Sequence, residues 1–193
     1  EDLGDGLCPA FIIYPGERAQ AGRERYSDAA TDGGLANYRD REIANCERVL
    51  ASGDAAAMNV LLEYWYAQNN QQAVAATYKT YLEKGSDVHR LAEASAGLYT
   101  LYTEGAPGLA PDPDAALSYL SLAAKYNPEA FALRYADAMH ARGSYAEAFS
   151  YYTKIAQSKA AAAKLSKEDF CEVNLKLADH YFQGRGVSEN WYI

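Results

Sequence analysis

The chain carries three histidines, the side-chain type that serves most often in metal binding and acid–base catalysis near neutral pH. His89, His140 and His180 are separated by 51 and 40 residues. None of them has a Cys, Asp or Glu at the short spacing of a zinc or metalloprotease motif. We therefore predict surface or groove histidines, and no catalytic residue, cofactor or metal ligand.

The three cysteines, Cys8, Cys46 and Cys171, are odd in number and have no metal-ligand spacing. They allow either one disulfide with one free thiol or three buried thiols. Because free cysteine commonly behaves as a small hydrophobic residue, we favour three reduced, buried thiols. On this interpretation the cysteines do not indicate a cellular compartment.

Two kinds of short motif resemble ligand loops but are better explained as helix ends. Asp112, Pro113 and Asp114 begin like a calcium loop, yet the Gly and the bidentate Glu of that loop are absent. The same residues are typical of a helix N-cap followed by proline in the first turn. The glycine-rich segments 105–108 and 184–186 each follow a predicted helix, whereas phosphate loops follow a strand. We expect these glycines to form left-handed turns at helix C-termini.

Composition and charge exclude several classes of protein. The 193 residues include 18 Lys and Arg against 26 Asp and Glu, which gives a net charge of −8 and makes nucleic acid a poor partner. The apolar stretch 60–67 contains Glu63 and is far shorter than the roughly 20 residues that span a bilayer. With 37 Ala, 17 Tyr and 6 Pro, the composition favours an all-α protein.

The chain divides into a lead-in and a helical part. Residues 1–34 are rich in Gly and Pro and predict at most one helix, near 17–30. The chain starts without an initiator Met or an apolar leader, so we expect a processed or trimmed product. From residue 35 onward, predicted helices alternate with short breaks of the length found between antiparallel neighbours. These breaks lie at 52–54, 68–70, 85–87, 127–128 and 142–144.

Two stretches of the helical part share a repeated pattern of small and aromatic residues. In 129–157 the pattern comprises Ala130, Phe131, Leu133, Tyr135, Ala136, Met139, Gly143, Tyr145, Glu147, Ala148 and Tyr152. This stretch resembles the tetratricopeptide repeat. In 92–124 it comprises Leu98, Tyr99, Tyr102, Glu104, Gly105, Asp112, Pro113, Ala116, Leu117, Tyr119, Leu120, Ala123 and Ala124. This second stretch resembles the longer Sel-one-like repeat, and 177–190 repeats its opening half.

Equivalent positions of successive first helices are Leu62, Tyr99, Ala136 and Ala178, which lie 37, 37 and 42 residues apart. The loop 106–110 supplies five extra residues, and such an insertion is characteristic of the Sel-one-like family. We interpret 35–193 as about three and a half repeats preceded by a degenerate one at 37–51.

The last repeat is incomplete, because its second helix is only starting where the sequence stops at Ile193. The stripe of Leu175, Ala178 and Tyr181 then lacks half of its cover. We expect a missing C-terminal segment or a neighbouring chain to cap it.

The resemblance implies an α-solenoid of antiparallel helix hairpins in a right-handed superhelix, with the first helices lining its concave side. The residues that the repeat pattern places there, and that we predict to bind a partner, are Glu63, Tyr66, Glu93, Arg134, Asp137, His140, Lys176 and Asp179.

Acids recur on the predicted concave side while bases are few. Our hypothesis is that Glu63, Glu93, Asp137 and Asp179 form an acidic stripe for a basic or extended protein segment; the alternative is an ordinary solvated face. Most tyrosines should fill space between helices, whereas Tyr66 and Tyr126 are surplus rings able to grip a partner.

The resemblance implies a non-enzymatic scaffold for protein–protein interaction. Bacterial Sel-one-like proteins frequently act in the periplasm or at the outer membrane, in cell-envelope and exopolysaccharide-export assembly; a cytoplasmic location is the alternative. Two other functions stay open. One is a carbohydrate-binding module, and the other is a secreted enzyme that binds or hydrolyses beta-lactams. Relatives of the latter kind carry a cysteine pair in each repeat, which this chain lacks.

Overall fold

The structure is a computed structural model that describes Cys8 and residues 32–187. Within these residues the regular secondary structure is helical, apart from one isolated bridge between Ala106 and Leu109. Within residues 32–104 and within residues 113–157, each helix packs on the next helix along the chain, as neighbours do in an α-solenoid. The predicted all-α class is therefore confirmed.

The helices begin and end close to the predicted positions. They are α1 (Asp32–Leu50), α2 (Ala55–Ala67), α3 (Gln71–Lys84), α4 (Val88–Glu104), α5 (Pro113–Tyr126), α6 (Pro128–Ala141), α7 (Tyr145–Gln157), α8 (Lys159–Lys164) and α9 (Lys167–Phe182). All five predicted breaks separate helices, whereas the short α8 has no counterpart among the predictions. The helix predicted near 17–30 lies outside the described residues.

Side-chain caps explain why the helices start where they do. Asp54, Asn70 and Asp87 each accept a hydrogen bond from the backbone N–H three residues ahead, at 2.8, 3.1 and 3.0 Å. Asp112 caps α5 in the same way, and Pro113 occupies the first helical position. The predicted helix start at this motif is confirmed.

The chain forms two compact units that divide between Pro111 and Asp112. In unit 1, α1 packs on α2 and α3, and α3 packs on both α2 and α4. Its fully buried side chains include Met58, Leu61, Val74, Tyr81 and Leu98.

Unit 2 comprises α5 to α9 within the described residues. Here α5 packs on α6, α6 on α7, and α7 on α9, while the short α8 contacts α6 and α7. The fully buried side chains include Leu120, Tyr152, Val173 and His180. The buried side chains of both units include alanines and tyrosines, and the tyrosines among them fill space between helices, as predicted.

The cysteines differ from the favoured prediction. Cys8 and Cys46 form a disulfide with their Cα atoms 4.4 Å apart, and Cys171 is free and exposed. Three reduced, buried thiols was therefore the wrong choice, and one disulfide with one free thiol is correct. A sequence separation of 38 residues carries no information about distance, so only the folded chain brings Cys8 to Cys46 on α1.

The insertion after α4 is a tight loop. Gly105 and Gly108 have φ angles of +71° and +77°, in the left-handed region that favours glycine. Ala106 and Leu109 exchange two backbone hydrogen bonds of 2.8 Å, and the Gln72 side chain donates to the carbonyl oxygen of Gly108. The loop is thus held against the start of α3.

Candidate partner-binding site

The predicted residues of unit 1 lie on α2 and α4. Tyr66 is 47 % exposed at the end of α2, and Glu63 is exposed one turn earlier on the same face. Glu93, on α4, is paired with Arg90 at 2.6 Å. The structure therefore presents Glu63 and Tyr66 together, while Glu93 already has a cation beside it.

Tyr66 lines a pocket of about 360 Å³ where α2 ends, α3 begins and α4 ends. The other lining residues are Gln71, Gly97, Thr100, Leu101, Glu104, Gly105 and Ala106. The amide oxygen of Gln71 is buried and has no hydrogen-bond partner among the described residues. The pocket therefore presents an aromatic ring and a carboxylate, while the Gln71 amide oxygen is enclosed by the protein.

A close helix approach forms one wall of this pocket. The hydroxyl groups of Tyr66 and Tyr78 lie 3.4 Å apart, and a Cβ atom added to Gly97 would lie 2.5 Å from the Tyr78 ring. Gly97 is therefore required for the Tyr78 ring to pack here. The pKa of Tyr78 is raised, mainly by burial and to a smaller extent by the contact with Tyr66 and the charge of Glu93. Its hydroxyl therefore stays protonated.

In unit 2 the predicted residues Asp137 and Lys176 come together. The Lys176 ammonium donates to the Asp137 carboxylate at 2.6 Å and lies 3.0 Å from Glu172, one turn earlier on α9. The Tyr152 hydroxyl donates to the same Asp137 oxygen at 2.7 Å. Burial is the largest single influence on the pKa of Lys176, and it lowers that pKa. The hydrogen bonds and charges of Asp137 and Glu172 together outweigh burial, so the pKa is raised overall. Asp137 is thus occupied by partners within the chain.

The remaining predicted residues of unit 2 are His140, Asp179 and Arg134. Asp179 lies 3.5 Å from the guanidinium of Arg185, and Arg134 is exposed on α6. The His140 ring stacks edge-on against the His180 ring, with centroids 5.2 Å apart. Three of the four carboxylates of the hypothetical acidic stripe, Glu93 among them, therefore have a cation beside them; Glu63 does not within the described residues.

His180 corrects the prediction that the histidines lie at the surface or in a groove. Its side chain is completely buried, its Nδ1–H donates to the carbonyl oxygen of Arg185 at 2.7 Å, and its Nε2 has no partner among the described residues. The turn after α9 makes this contact possible, because Gly184 and Gly186 adopt positive φ angles. A Cβ atom on Gly186 would lie 2.5 Å from the backbone nitrogen of Ala146. The predicted C-terminal turn is confirmed, and it brings the chain against the start of α7.

We predict that acid weakens unit 2 through His140. Desolvation lowers the pKa of this imidazole below its ordinary value of 6.5, and the charges of His180, Lys176 and Arg185 add to the effect against that of Asp179. The unfolded chain then binds a proton that the folded chain does not, so stability is lost as pH falls below 6.5. The loss is measured as the difference in the free energy of unfolding by urea at about pH 7.5 and about pH 5.5, two values on either side of the ordinary histidine pKa.

The matched control for this prediction is His89, which is exposed on α4. His140→Asn should reduce the difference in the free energy of unfolding between the two pH values, whereas His89→Asn should leave it unchanged. An undiminished pH dependence in His140→Asn would contradict the assignment.

Several residues of these sites are not among the predicted ones. Gln71 and Glu104 line the pocket because α3 begins beside the end of α4; Gln71 has no sequence signal, and Glu104 belongs to the repeat pattern without being predicted as a binding residue. Tyr152 was predicted only as a packing residue, and its hydroxyl adds a hydrogen bond to Asp137. The glycines at 184 and 186 were the one sequence signal for the turn that buries His180.

Together these features define an all-α protein of packed helix hairpins, with a small pocket in unit 1 and a polar aromatic cluster in unit 2. No group of three or more potential metal-ligating side chains occurs among the described residues. No helix in that part of the chain is both long and apolar enough to cross a bilayer. Neither protein-family models nor curated proteins nor solved structures give a match to this chain.

Proposed function

We propose that the chain is a non-enzymatic scaffold that binds a protein partner through the faces of its first helices. The observation that carries the proposal is the pocket beside Tyr66, where a half-exposed ring and the carboxylate of Glu104 are presented on rigid helices. Tyrosine is enriched among the residues that dominate binding energy at protein interfaces. The resemblance to Sel-one-like and tetratricopeptide repeats supports the same role.

The cell envelope is the proposed location. The disulfide between Cys8 and Cys46 supports it, because structural disulfides persist in oxidising compartments such as the periplasm and are rare in the cytosol. Participation in exopolysaccharide export is the finer part of the proposal and rests on the family resemblance alone.

The test is affinity capture from the cell envelope with three baits: the wild-type chain, Tyr66→Ala and Phe182→Ala. Phe182 is the matched control, since it is an aromatic side chain that is 59 % exposed but lies on α9 in the other unit. We expect a protein that the wild type and Phe182→Ala retain and Tyr66→Ala loses. Equal retention by all three baits, or turnover of a chromogenic beta-lactam by the purified chain, would overturn the proposal.

A carbohydrate-binding module is the second candidate. It is favoured by the combination of the Tyr66 ring with the Glu104 carboxylate in one pocket, because rings stack on sugar faces while carboxylates bind hydroxyls. A glycan array at physiological salt separates the two candidates: strong signal that Tyr66→Ala abolishes favours the carbohydrate module.

A further inference from the structure

We infer that the pocket beside Tyr66 receives an arginine side chain from the protein partner. This inference rests on the proposed scaffold function and names the chemistry of its contact point. The geometry that points to it is an exposed aromatic face and a carboxylate that line one cavity of about 360 Å³. That volume is at the small end of the range for ligand pockets and suits a single side chain.

Charge selects a cation for this pocket. Glu104 is the one ionisable carboxylate or base among the lining residues, and Glu63 lies one turn before Tyr66 on the exposed face of α2. The pocket also lies at the C-terminal ends of α2 and α4, where helix dipoles favour positive charge, against the opposite effect of the α3 N-terminus. Two carboxylates and two helix C-termini together favour a cationic ligand over an anionic one.

Hydrogen bonding requires donors from the ligand. The Glu104 carboxylate lines the pocket and offers two acceptor oxygens. A charged donor group that reaches both oxygens forms shorter and stronger hydrogen bonds than a neutral one does. The ligand must therefore be rich in N–H groups as well as cationic.

The guanidinium group of arginine meets these requirements better than an ammonium group. It is planar and stacks on an aromatic face, and its five N–H donors are arranged so that one group can serve two acceptors at once. Arginine also forms cation–π contacts more often than lysine does. The Tyr66 ring, 47 % exposed, would cover one guanidinium face while the two oxygens of Glu104 accept from its edge.

The wall of the pocket is stable enough to bind in this way. Gly97 brings α4 against the Tyr78 ring, and the Tyr78 hydroxyl lies beside that of Tyr66. The loop that follows α4 is fastened to α3 by the bond from Gln72 to Gly108. Both contacts fix the lining before a ligand arrives, which lowers the entropic cost of binding.

The experiment is an NMR titration of the full chain with N-acetyl-arginine methylamide, followed through backbone amide resonances. We expect shifts concentrated at Gln71, Thr100 and Gly105, with a Kd on the order of millimolar for so small a probe. Glu104→Gln should raise that Kd about tenfold, as loss of a charge-assisted contact does. Glu83→Gln is the matched control because Glu83 is an exposed carboxylate on α3 of the same unit, and it should change nothing.

Three further probes decide the chemistry. The citrulline analogue has the shape of arginine without its charge and should not shift the pocket resonances, and the lysine analogue should bind several times more weakly than arginine. Equal binding by either analogue would overturn the arginine assignment. So would shifts caused by methyl glycosides in place of arginine, which would favour the carbohydrate candidate.

Failure of this inference is distinguishable from failure of the scaffold. If Tyr66→Ala loses an envelope protein but the arginine probe leaves the pocket unshifted, the scaffold stands and the arginine contact is wrong. If the probe binds but no envelope protein depends on Tyr66, the scaffold proposal fails and the chemistry of the pocket remains.

Discussion

Replacing Tyr152 with alanine is expected to lower the free energy of unfolding by about 4 kcal/mol, the cost of truncating a large side chain in a packed core. Tyr152 lies on α7, and its side chain is completely buried against α6 and α9. Its ring centroid lies 5.9 Å from that of His180, its hydroxyl donates to Asp137, and the Lys176 ammonium lies 5.5 Å from the ring. The substitution removes all of these contacts at once and leaves a cavity.

Two control variants separate the contributions in a urea titration followed by circular dichroism. Tyr152→Phe keeps the ring and should cost about 1 to 2 kcal/mol, because Asp137 loses one donor and keeps Lys176. Tyr66→Ala removes the same side-chain type from a half-exposed position and should cost less than about 1 kcal/mol. A Tyr152→Ala variant no less stable than Tyr66→Ala would contradict the packing described for unit 2.

Reducing the disulfide is expected to have an effect of similar size, about 4 kcal/mol for a closed loop of this length. The bridge joins residues 38 positions apart and therefore restricts the unfolded chain strongly. Unfolding midpoints with and without a phosphine reductant measure the difference. The fold should survive reduction, since Cys46 stays buried as a small apolar side chain in the core of unit 1 and unit 2 contains neither cysteine of the bridge.

Matched cysteine variants test the origin of that effect. Cys8→Ser should have the stability of the reduced wild-type chain whether or not reductant is present, because it cannot form the disulfide. The Cys46 thiol of this variant remains buried as a small apolar group. Cys171→Ser should retain the full response to reductant, since Cys171 is exposed and outside the bridge. A wild-type chain that is indifferent to reductant would contradict a stabilising role for the disulfide.

Helix boundaries could be predicted from the sequence because their causes are local. Asp54, Asn70 and Asp87 cap the helices that begin just after them, and the cap acts through a backbone group only three residues away. The positive φ angles at Gly105 and Gly186 likewise follow from the residue type. Such signals need no knowledge of what the helix packs against.

The side-chain pairs of the sites could not be predicted, because they depend on how helices distant in sequence align. Asp137 and Lys176 are 39 residues apart, and a shift of one turn in α9 would separate them. The burial of His180 and the pairing of Cys8 with Cys46 have the same origin. The repeat pattern identifies the face on which such residues lie but not their neighbours across the interface.

The stripe of Leu175, Ala178 and Tyr181 on α9 shows both what the repeat pattern predicts and what only helix packing decides. Leu175 is 65 % exposed and Ala178 is exposed, as the repeat pattern predicts. Tyr181 is half-buried instead, with its ring edge-on to Phe149 on α7 at 5.1 Å between centroids. The pattern treated the three residues as one face, whereas the rotation of α9 on α7 turns one of them inward.

The exposed thiol of Cys171 makes the native chain ready for spectroscopy without any substitution. Because the other two cysteines are joined to each other, a maleimide dye would attach at this one position, near the start of α9. Its emission would then report directly on the detachment of α9 from α7 during acid or urea titrations, and on that event separately from the melting of unit 1.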